Sequence, residues 1–323
     1  MNDRAVSLLD QYEIEVKGTR KGRGAILCDT DRGTLIFKEY GGHPEHLKIQ
    51  DRFLKTIAAK GLVEAEELIP AKEGELFVKD GDGTSYVLKT YREGRECNVR
   101  ETEECLAAVR LLAKLHLSTQ DGLTPDAFPE EGKVREYEKR NRELRRIRKF
   151  LVGRSQKTWF EISLLGCFDF FYDQAREAQE SWEAYGAAAE RNQEICYCHG
   201  DYQYHNVLLD QKTWFLINFE RCAADDPVRD LHLLLRKLLE KSNWSIPLGE
   251  KLLREYERIR PLSAMSFIDL RHRLQYPEKF WKIANFYYNS GKAWIPGRNM
   301  EKLEKLMSQE KQKQEFLETV FQI

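Results

Sequence analysis

One stretch of the chain decides its fold, because residues 198–209 read CHGDYQYHNVLL. Within it, His199, Asp201 and Asn206 form the pattern H-x-D-x-x-x-x-N, in which four residues separate the acid from the amide. An aspartate so placed can accept a proton from a hydroxyl nucleophile. The asparagine carbonyl can coordinate a magnesium ion that also holds the phosphates of a nucleotide. The pattern therefore predicts a site for phosphoryl transfer.

The residues on either side of the motif predict a loop between short strands. An apolar run at residues 195–198 precedes it, and residues 206–209 and 214–219 read as the two strands of a hairpin. On such a loop, this spacing is that of kinase catalytic loops. We therefore predict that Asp201 is the catalytic base or positioning group and that Asn206 is a metal ligand. The alternative is that Asp201 is a turn residue and Asn206 caps a strand.

Composition and charge limit the function classes. The chain has 323 residues, enough for two lobes, and its 52 Lys and Arg against 53 Asp and Glu give a net charge of −1. This balance argues against a protein made mainly to bind nucleic acid. No apolar run is long enough to cross a bilayer, so we expect no membrane association. The 7 scattered cysteines are expected to be reduced thiols in a cytoplasm.

The N-terminal part alternates in the way strands do. Residues 12–40 predict an antiparallel meander, and His43-Pro44 opens a helix that Gly61 stops after about Lys60. Residues 76–78 and 86–88 predict two more strands joined by a Gly-rich turn. We therefore predict an N-terminal nucleotide-binding lobe over residues 1–90, made of a small antiparallel sheet with one helix.

Beyond a polar connector at residues 91–95, the pattern becomes helical. Residues 103–117, 133–150, 159–189, 230–241, 248–259 and 267–274 are predicted helices, and a charged helix follows residue 299. A larger, mostly helical C-terminal lobe over residues 91–323 would carry the catalytic-type loop 198–220. The fold class is thus α+β, with the bilobal architecture of protein kinases.

Four residues are predicted to bind the nucleotide. Lys38 ends an apolar strand and is the candidate for the α- and β-phosphates, although an ordinary strand-end lysine is the alternative. By register, Gln50 stands where its partner carboxylate would be expected, and the nearby acids Glu45 and Asp51 leave the choice open. The other candidates are Gly22, Gly24 and Tyr91.

The glycines belong to a basic turn at residues 18–24, which carries Arg20, Lys21 and Arg23 and could cover phosphates with its backbone amides. It does not match G-x-G-x-x-G, so a plain hairpin turn is the alternative. Tyr91 opens the connector.

The strand that follows the loop departs from a kinase site. Asn218 stands where an aspartate would be expected to bind the metal between the β- and γ-phosphates. Because magnesium favours charged oxygen ligands, a neutral amide should weaken the site. Glu220, two residues later, could supply the missing charge. We list Asn206, Asn218 and Glu220 as the candidate metal ligands.

The segment from His199 to Leu208 resembles the loop of the aminoglycoside phosphotransferase and choline kinase superfamily, which usually reads H-G-D-x-x-x-x-N. Segments 86–97, 218–220 and 274–288 resemble more closely the CotS family of spore coat proteins, which are kinase-like members of that superfamily. The resemblance implies a two-lobed fold with a nucleotide cleft, ATP and magnesium as cofactors, and phosphotransferase roles for Asp201, Asn206 and Lys38.

The resemblance also implies synthesis in the cytoplasm, association with the developing spore coat and other coat proteins as partners. Since the metal-binding aspartate is absent at Asn218, two hypotheses follow. The first is a coat-associated kinase-like protein with weak or degenerate catalysis. The second is an active phosphotransferase that uses ATP and magnesium on the hydroxyl group of a small-molecule substrate.

Overall fold

The computed structural model describes residues 6–22, 24–120, 133–189, 194–290 and 297–322. The chain divides into two compact units. The first comprises residues 1–128 and 195–230, and the second comprises residues 129–194 and 231–323. The first unit therefore contains both the predicted N-terminal sheet and the loop that carries the catalytic motif. The lobe division expected between residues 90 and 91 stays a prediction.

The larger sheet of the first unit has the strand order β1-β2-β3-β7-β5, and β6 also pairs with β7. Every pairing in it is antiparallel. The strands are β1 (Val16–Lys21), β2 (Ala25–Thr30), β3 (Gly33–Glu39), β5 (Leu68–Ile69), β6 (Val78–Lys79) and β7 (Ser85–Thr90). Alternate residues of β3, Leu35 and Phe37, are buried in the core, as the sequence pattern requires. The predicted meander is confirmed as β1, β2 and β3.

Helix α1 (Pro44–Lys60) lies between β3 and the rest of the sheet in sequence. Its first turn is capped by Nδ1 of His43, which accepts a hydrogen bond from the backbone N–H of Glu45. Gly61 ends it in a left-handed conformation with φ of 63°, which glycine adopts without steric cost. The predicted start and end of this helix are both confirmed.

Two smaller sheets complete the first unit. One has the order β4-β11-β10-β8, with β4 parallel to β11, and the other pairs β9 with β12. Their strands are β4 (Glu64–Ala65), β8 (Arg95–Glu96), β9 (Cys196–Cys198), β10 (Val207–Asp210), β11 (Thr213–Leu216) and β12 (Ala223–Asp225). Helix α2 (Thr102–Ser118) buries its apolar face in the same unit. The predicted hairpin after the loop is confirmed as β10 and β11.

Among its described residues, the second unit contains helices and no β-strand. The helices after α2 are α3 (Lys133–Gly153), α4 (Trp159–Gly166), α5 (Phe168–Ala189), α6 (Val228–Lys241), α7 (Ile246–Glu257), α8 (Ala264–Gln275), α9 (Glu278–Asn289), α10 (Gly297–Ser308) and α11 (Glu310–Val320). Side chains of α3, α4, α5, α9 and α10 share one apolar core. With a sheet-rich N-terminal region and a helical C-terminal region, the α+β prediction is confirmed.

All seven cysteines are buried and free. Among the helices that the structure describes, none is both long enough and apolar enough to cross a bilayer.

Candidate active site

The motif forms a tight loop between β9 and a single 3-10 turn, Tyr204–Asn206. Gly200 has φ of 77°, and a Cβ at this position would collide with the backbone carbonyl of Arg221. Only glycine satisfies both the backbone conformation and this close approach. The glycine of the H-G-D pattern is therefore a requirement of the loop's shape.

The buried carboxylate of Asp230 anchors the backbone of the loop. Asp230 accepts hydrogen bonds from the backbone N–H of His199 at 2.6 Å and of Gly200 at 2.9 Å, and Nε2 of His116 lies 3.4 Å from it. Burial would raise the pKa of Asp230, but His116 and nearby cations outweigh this and lower it below its ordinary value. Asp230 thus stays ionised and braces the loop.

The imidazole of His199 links the loop to the strand that follows the hairpin. It is fully buried, its Nδ1 accepts from the backbone N–H of Asp201 at 3.2 Å, and its Nε2 lies 2.9 Å from the carbonyl of Ile217. Since Nδ1 is an acceptor, Nε2 carries the proton and donates to that carbonyl. The histidine of the motif therefore positions Asp201 relative to residues 217–219.

The β10–β11 hairpin brings the two asparagines together. Val207 pairs with Leu216, and the backbone N–H of Ile217 donates to the carbonyl of Asn206 at 3.2 Å. The ladder thus extends one step beyond the strands, to Asn206 and Ile217, and Asn218 follows directly. Asn218 has φ of 67°, a left-handed conformation that asparagine and aspartate tolerate better than most residues.

The side chains of these asparagines bind each other, and we call them the amide pair. Nδ2 of Asn206 donates to the carbonyl of Asp201 at 2.8 Å, which fixes its Oδ1 toward Asn218. Nδ2 of Asn218 then donates to that Oδ1 at 2.9 Å. One lone pair of the oxygen expected to bind a metal is therefore already used by a hydrogen-bond donor. Asn206 is 2% exposed, and Asn218 is half-buried.

Asp201 is half-buried beside the amide pair, and Oδ1 of its side chain accepts a hydrogen bond from Nε2 of Gln203. Asp201 thus sits within the same short loop as the candidate metal ligand Asn206. Its role as catalytic base stays a prediction.

Lys38 lies at the edge of a cluster of alternating charges. Its Nζ is 2.7 Å from Oε1 of Glu220, and the same carboxylate oxygen is 2.7 Å from Nζ of Lys89. Lys89 also bonds Glu66 at 2.9 Å. We call Lys38, Glu66, Lys89 and Glu220 the ion-pair cluster. It contains two cations and two anions, so its formal charge is zero.

Sheet register explains why the lysines meet. Lys38 pairs with Val87, and Ile36 pairs with Lys89, so both lysines project from the same face of β3 and β7. Glu66 lies two residues before Leu68, the first residue of β5, and Leu68 pairs with Lys89. Two lysines and one acid thus gather on one face of the sheet before Glu220 joins them.

The ion-pair cluster sets the charge of Glu220. Burial would raise the pKa of this carboxyl, but the ammonium groups of Lys89 and Lys38 outweigh it and lower the pKa to about 2. Glu220 is therefore an anion at any physiological pH. As a metal ligand it stays a prediction, and its observed partners are lysines.

None of the three residues considered as the partner of Lys38 occupies that role. Glu45 pairs with Lys48 and Asp51 pairs with Lys55 on the exposed side of α1. Gln50 is fully buried, and neither its Oε1 nor its Nε2 has a hydrogen-bond partner among the described residues. The partner is Glu220, which is 182 residues from Lys38 in the chain.

Two of the other nucleotide-binding candidates, Gly22 and Tyr91, donate their backbone N–H groups to backbone carbonyls. The N–H of Gly22 donates to the carbonyl of Ala25 at 2.8 Å, and Gly24 has φ of 69° in the same turn. The N–H of Tyr91 donates to the carbonyl of Thr34 at 3.1 Å. Within the described part of the chain, no hydrogen bond joins these residues to Lys38 or Asp201. Arg23, also expected in this turn, lies outside the described residues.

Sequence reasoning missed Lys89 and Glu66. The sequence carries a signal for Lys89 alone, because it ends the apolar run Tyr86-Val87-Leu88 and a lysine buried in such a strand needs an acidic partner. Residues 36–38 repeat this pattern, with Lys38 after two apolar residues.

A family model and a known protein both match this chain. The model of the phosphotransferase enzyme family matches residues 18–265. Spore coat protein S of Bacillus subtilis (strain 168) is 23% identical over 319 residues, which cover 94% of this chain and 89% of that protein. Both the phosphotransferase and the spore-coat resemblances of the sequence are therefore confirmed.

Solved structures share the fold. An aminoglycoside phosphotransferase from Alicyclobacillus acidocaldarius gives a TM-score of 0.82 at 21% identity, covering 100% of this chain and 96% of that one. Amicoumacin kinase, solved in complex with AMP-PNP and Ca²⁺, gives a TM-score of 0.64 at 11% identity, covering 97% of this chain and 94% of that one.

Proposed function

This chain belongs to the phosphotransferase enzyme family, and from that premise we propose that it is a nucleotide-binding, kinase-like protein of the spore coat with a weakened metal site. The observation that carries the proposal is the amide pair. Nδ2 of Asn218 donates to the oxygen of Asn206 that a metal would use, so this oxygen offers a metal only its remaining lone pair. Both amide oxygens are neutral ligands, which magnesium binds less well than carboxylates.

The phosphate side of the site supports nucleotide binding. Nζ of Lys38 has three N–H donors, and a quarter of its side chain is open to solvent. Glu220 occupies one donor and aims the ammonium group. ATP would therefore be held through Lys38 more than through a bridging magnesium ion. Related kinases support the ligand class, since amicoumacin kinase was solved with a nucleotide analogue and a divalent cation.

The relative supports the location. Spore coat protein S is similar to this chain over 94% of its length. We propose that this chain likewise joins the spore coat after synthesis in the cytoplasm, with other coat proteins as partners. In this role the fold serves assembly or nucleotide sensing, and turnover is slow or absent.

Calorimetric titration with ATP tests the metal site. We expect the wild-type protein to bind ATP with nearly the same dissociation constant in magnesium and in EDTA. Asn218→Asp restores a charged ligand and should make binding roughly tenfold tighter in magnesium than in EDTA. Asn243→Asp is the matched control, because Asn243 also has positive φ, at 54°, but is exposed and outside the site. It should behave like the wild type.

Two results would contradict this proposal. If wild-type binding depended on magnesium as strongly as that of Asn218→Asp, the metal site would be intact. If ATP did not bind at millimolar concentration, the nucleotide site itself would be absent.

Localisation is tested separately in a sporulating host. A fluorescent fusion of the wild-type chain and of Asp201→Ala should both reach the spore surface and appear in coat extracts. A wild-type fusion that stays in the cytoplasm would refute the coat assignment. Loss of the Asp201→Ala fusion alone would mean that assembly needs catalysis.

The second candidate is an active phosphotransferase directed at a small-molecule hydroxyl group. It is favoured by the retained pair of Asp201 and Asn206, which share one short loop. Magnesium-dependent release of ADP that is abolished in Asp201→Ala would establish this function in place of the first.

A further inference from the structure

The two lysines of the ion-pair cluster differ in access. The side chain of Lys89 is 1% exposed, whereas that of Lys38 is 27% exposed. A ligand can therefore reach Lys38 but not Lys89. Among the described residues, Lys89 has two acidic partners, Glu66 and Glu220, and Lys38 has one. One lysine is thus locked within the protein, and the other faces outward.

Glu220 connects them through one oxygen. Its Oε1 accepts from both ammonium groups at 2.7 Å, so the position of the carboxylate is set from the buried side by Lys89. Glu66 in turn holds Lys89 and also accepts from the backbone N–H of Phe219 at 3.1 Å. A continuous chain of charged contacts therefore runs from Glu66 through Lys89 and Glu220 to Lys38.

Helix α1 offers no substitute for this arrangement. The one polar residue at its expected contact position, Gln50, is neutral and has no hydrogen-bond partner among the described residues. The orientation of Lys38 thus depends on a carboxylate that lies beyond the β10–β11 hairpin.

We propose that Lys89 is a positioning residue for nucleotide phosphates: it fixes Glu220, and Glu220 presents the ammonium group of Lys38 to them. This inference rests on the proposed function, since it assumes that Lys38 binds phosphate. When phosphate oxygens approach Lys38, its ammonium group interacts with two anions, the phosphate and Glu220, and its contact with Glu220 becomes weaker. Lys89 keeps Glu220 neutralised and in place, so Lys38 can bind phosphate without leaving a buried carboxylate unpaired.

The test measures the dissociation constants for ATP and for adenosine in EDTA, where no metal contributes. In the wild type, ATP should bind more tightly than adenosine. Lys89→Met should weaken ATP binding roughly tenfold, the loss expected for one misdirected charge-assisted hydrogen bond, and leave adenosine binding unchanged. Lys89→Arg, which keeps the charge, should restore part of the preference for ATP.

A double variant shows whether Lys89 acts through Lys38. Lys38→Met alone should remove the preference for ATP. Adding Lys89→Met should then cause no further loss, because Lys89 affects phosphate binding only through Lys38. Lys313→Met is the matched control, since Lys313 is also a buried lysine but lies in the second unit, where it donates to the carbonyl of Gln275. It should leave both constants unchanged.

A second variant controls for the possibility that Lys89→Met fails to fold. Lys89→Met with Glu66→Gln removes the buried charges together and keeps an acceptor for the N–H of Phe219, and it should show the same selective loss of ATP affinity. Unchanged ATP binding in both variants, or an equal loss for ATP and adenosine, would overturn the inference and leave the proposed function standing. A wild type that binds ATP no better than adenosine would overturn the proposed function, and this inference with it.

Discussion

The amide pair and the ion-pair cluster are two residues apart along the chain, at Asn218 and Glu220, yet they satisfy their polar groups in opposite ways. In the amide pair, two neutral side chains bind each other, with a donor placed where a metal would need an acceptor. In the ion-pair cluster, two buried or half-buried acids are matched by two lysines. Charge is thus retained on the side proposed for phosphate and missing on the side proposed for metal.

This difference separates two properties that a kinase site usually combines. Phosphate binding needs a positioned cation, the role proposed for Lys38. Metal-assisted transfer needs charged oxygen ligands, and the amide pair has none. One half of such a site can therefore persist without the other, and each half makes its own predictions.

The largest effect is expected at Lys89. Lys89→Met leaves Glu66 and Glu220 facing each other without their shared buried cation, which should lower the free energy of unfolding by about 3–5 kcal/mol. Denaturant unfolding followed by circular dichroism measures this change. A loss below about 1 kcal/mol would mean that the ion-pair cluster is hydrated and that its two lysines do not differ.

Acid should weaken the ion-pair cluster and spare the amide pair. The pKa of Glu220 is about 2 in the folded protein and therefore below its unfolded value, so its stabilising contribution is complete above pH 4.5 and is lost as the pH falls toward 2. The full contribution is of order 3 kcal/mol.

The measurement compares wild type with Glu220→Gln over this pH range. The free energy of unfolding of the wild type should fall more steeply, because glutamine does not titrate. Parallel pH profiles would contradict the low pKa.

A smaller effect is expected at the amide pair. Without metal, Asn218→Asp replaces a donor by a carboxylate that faces Oδ1 of Asn206, and it should cost about 1–2 kcal/mol. Adding magnesium and ATP should recover this loss, whereas Asn243→Asp should show neither change. Thermal unfolding in EDTA and in magnesium provides the measurement, and equal melting temperatures for Asn218→Asp in both would place residue 218 away from any metal.

The smallest stability effect is expected at Lys38. Glu220 keeps its contact with Lys89 when Lys38→Met removes the outer lysine, and a partly exposed ion pair contributes about 1 kcal/mol or less. The same denaturant experiment should therefore show a several-fold smaller loss than for Lys89→Met. Similar losses for the two variants would show that Lys38 and Lys89 are equally buried in solution.

Much of the fold could be predicted because its signals are local. Alternating apolar residues predicted the meander, His43-Pro44 and Gly61 predicted the ends of α1, and the motif at residues 199–206 predicted the loop. Asp201, Asn206 and Asn218 were selected as candidates in the same way, because their spacing along one loop and hairpin is visible in the sequence.

The ion-pair cluster could not be predicted, because its members come from distant parts of the chain. Glu66 and Glu220 are 23 and 131 residues from Lys89, and no periodic pattern connects positions that meet only after the sheets have formed. The very short strands β4, β5 and β8 were also missed, since two residues are too few to show alternation. Register on the sheet, which sequence alone does not give, decides which lysines share a face.

The left-handed backbone at residue 218 has a consequence for the history of the site. Asparagine and aspartate both tolerate φ of 67°, so the chain keeps a backbone that fits either side chain. Their codons differ by a single base. A lineage carrying this fold can therefore lose or regain the carboxylate in one mutational step, with no need to rebuild the hairpin around it.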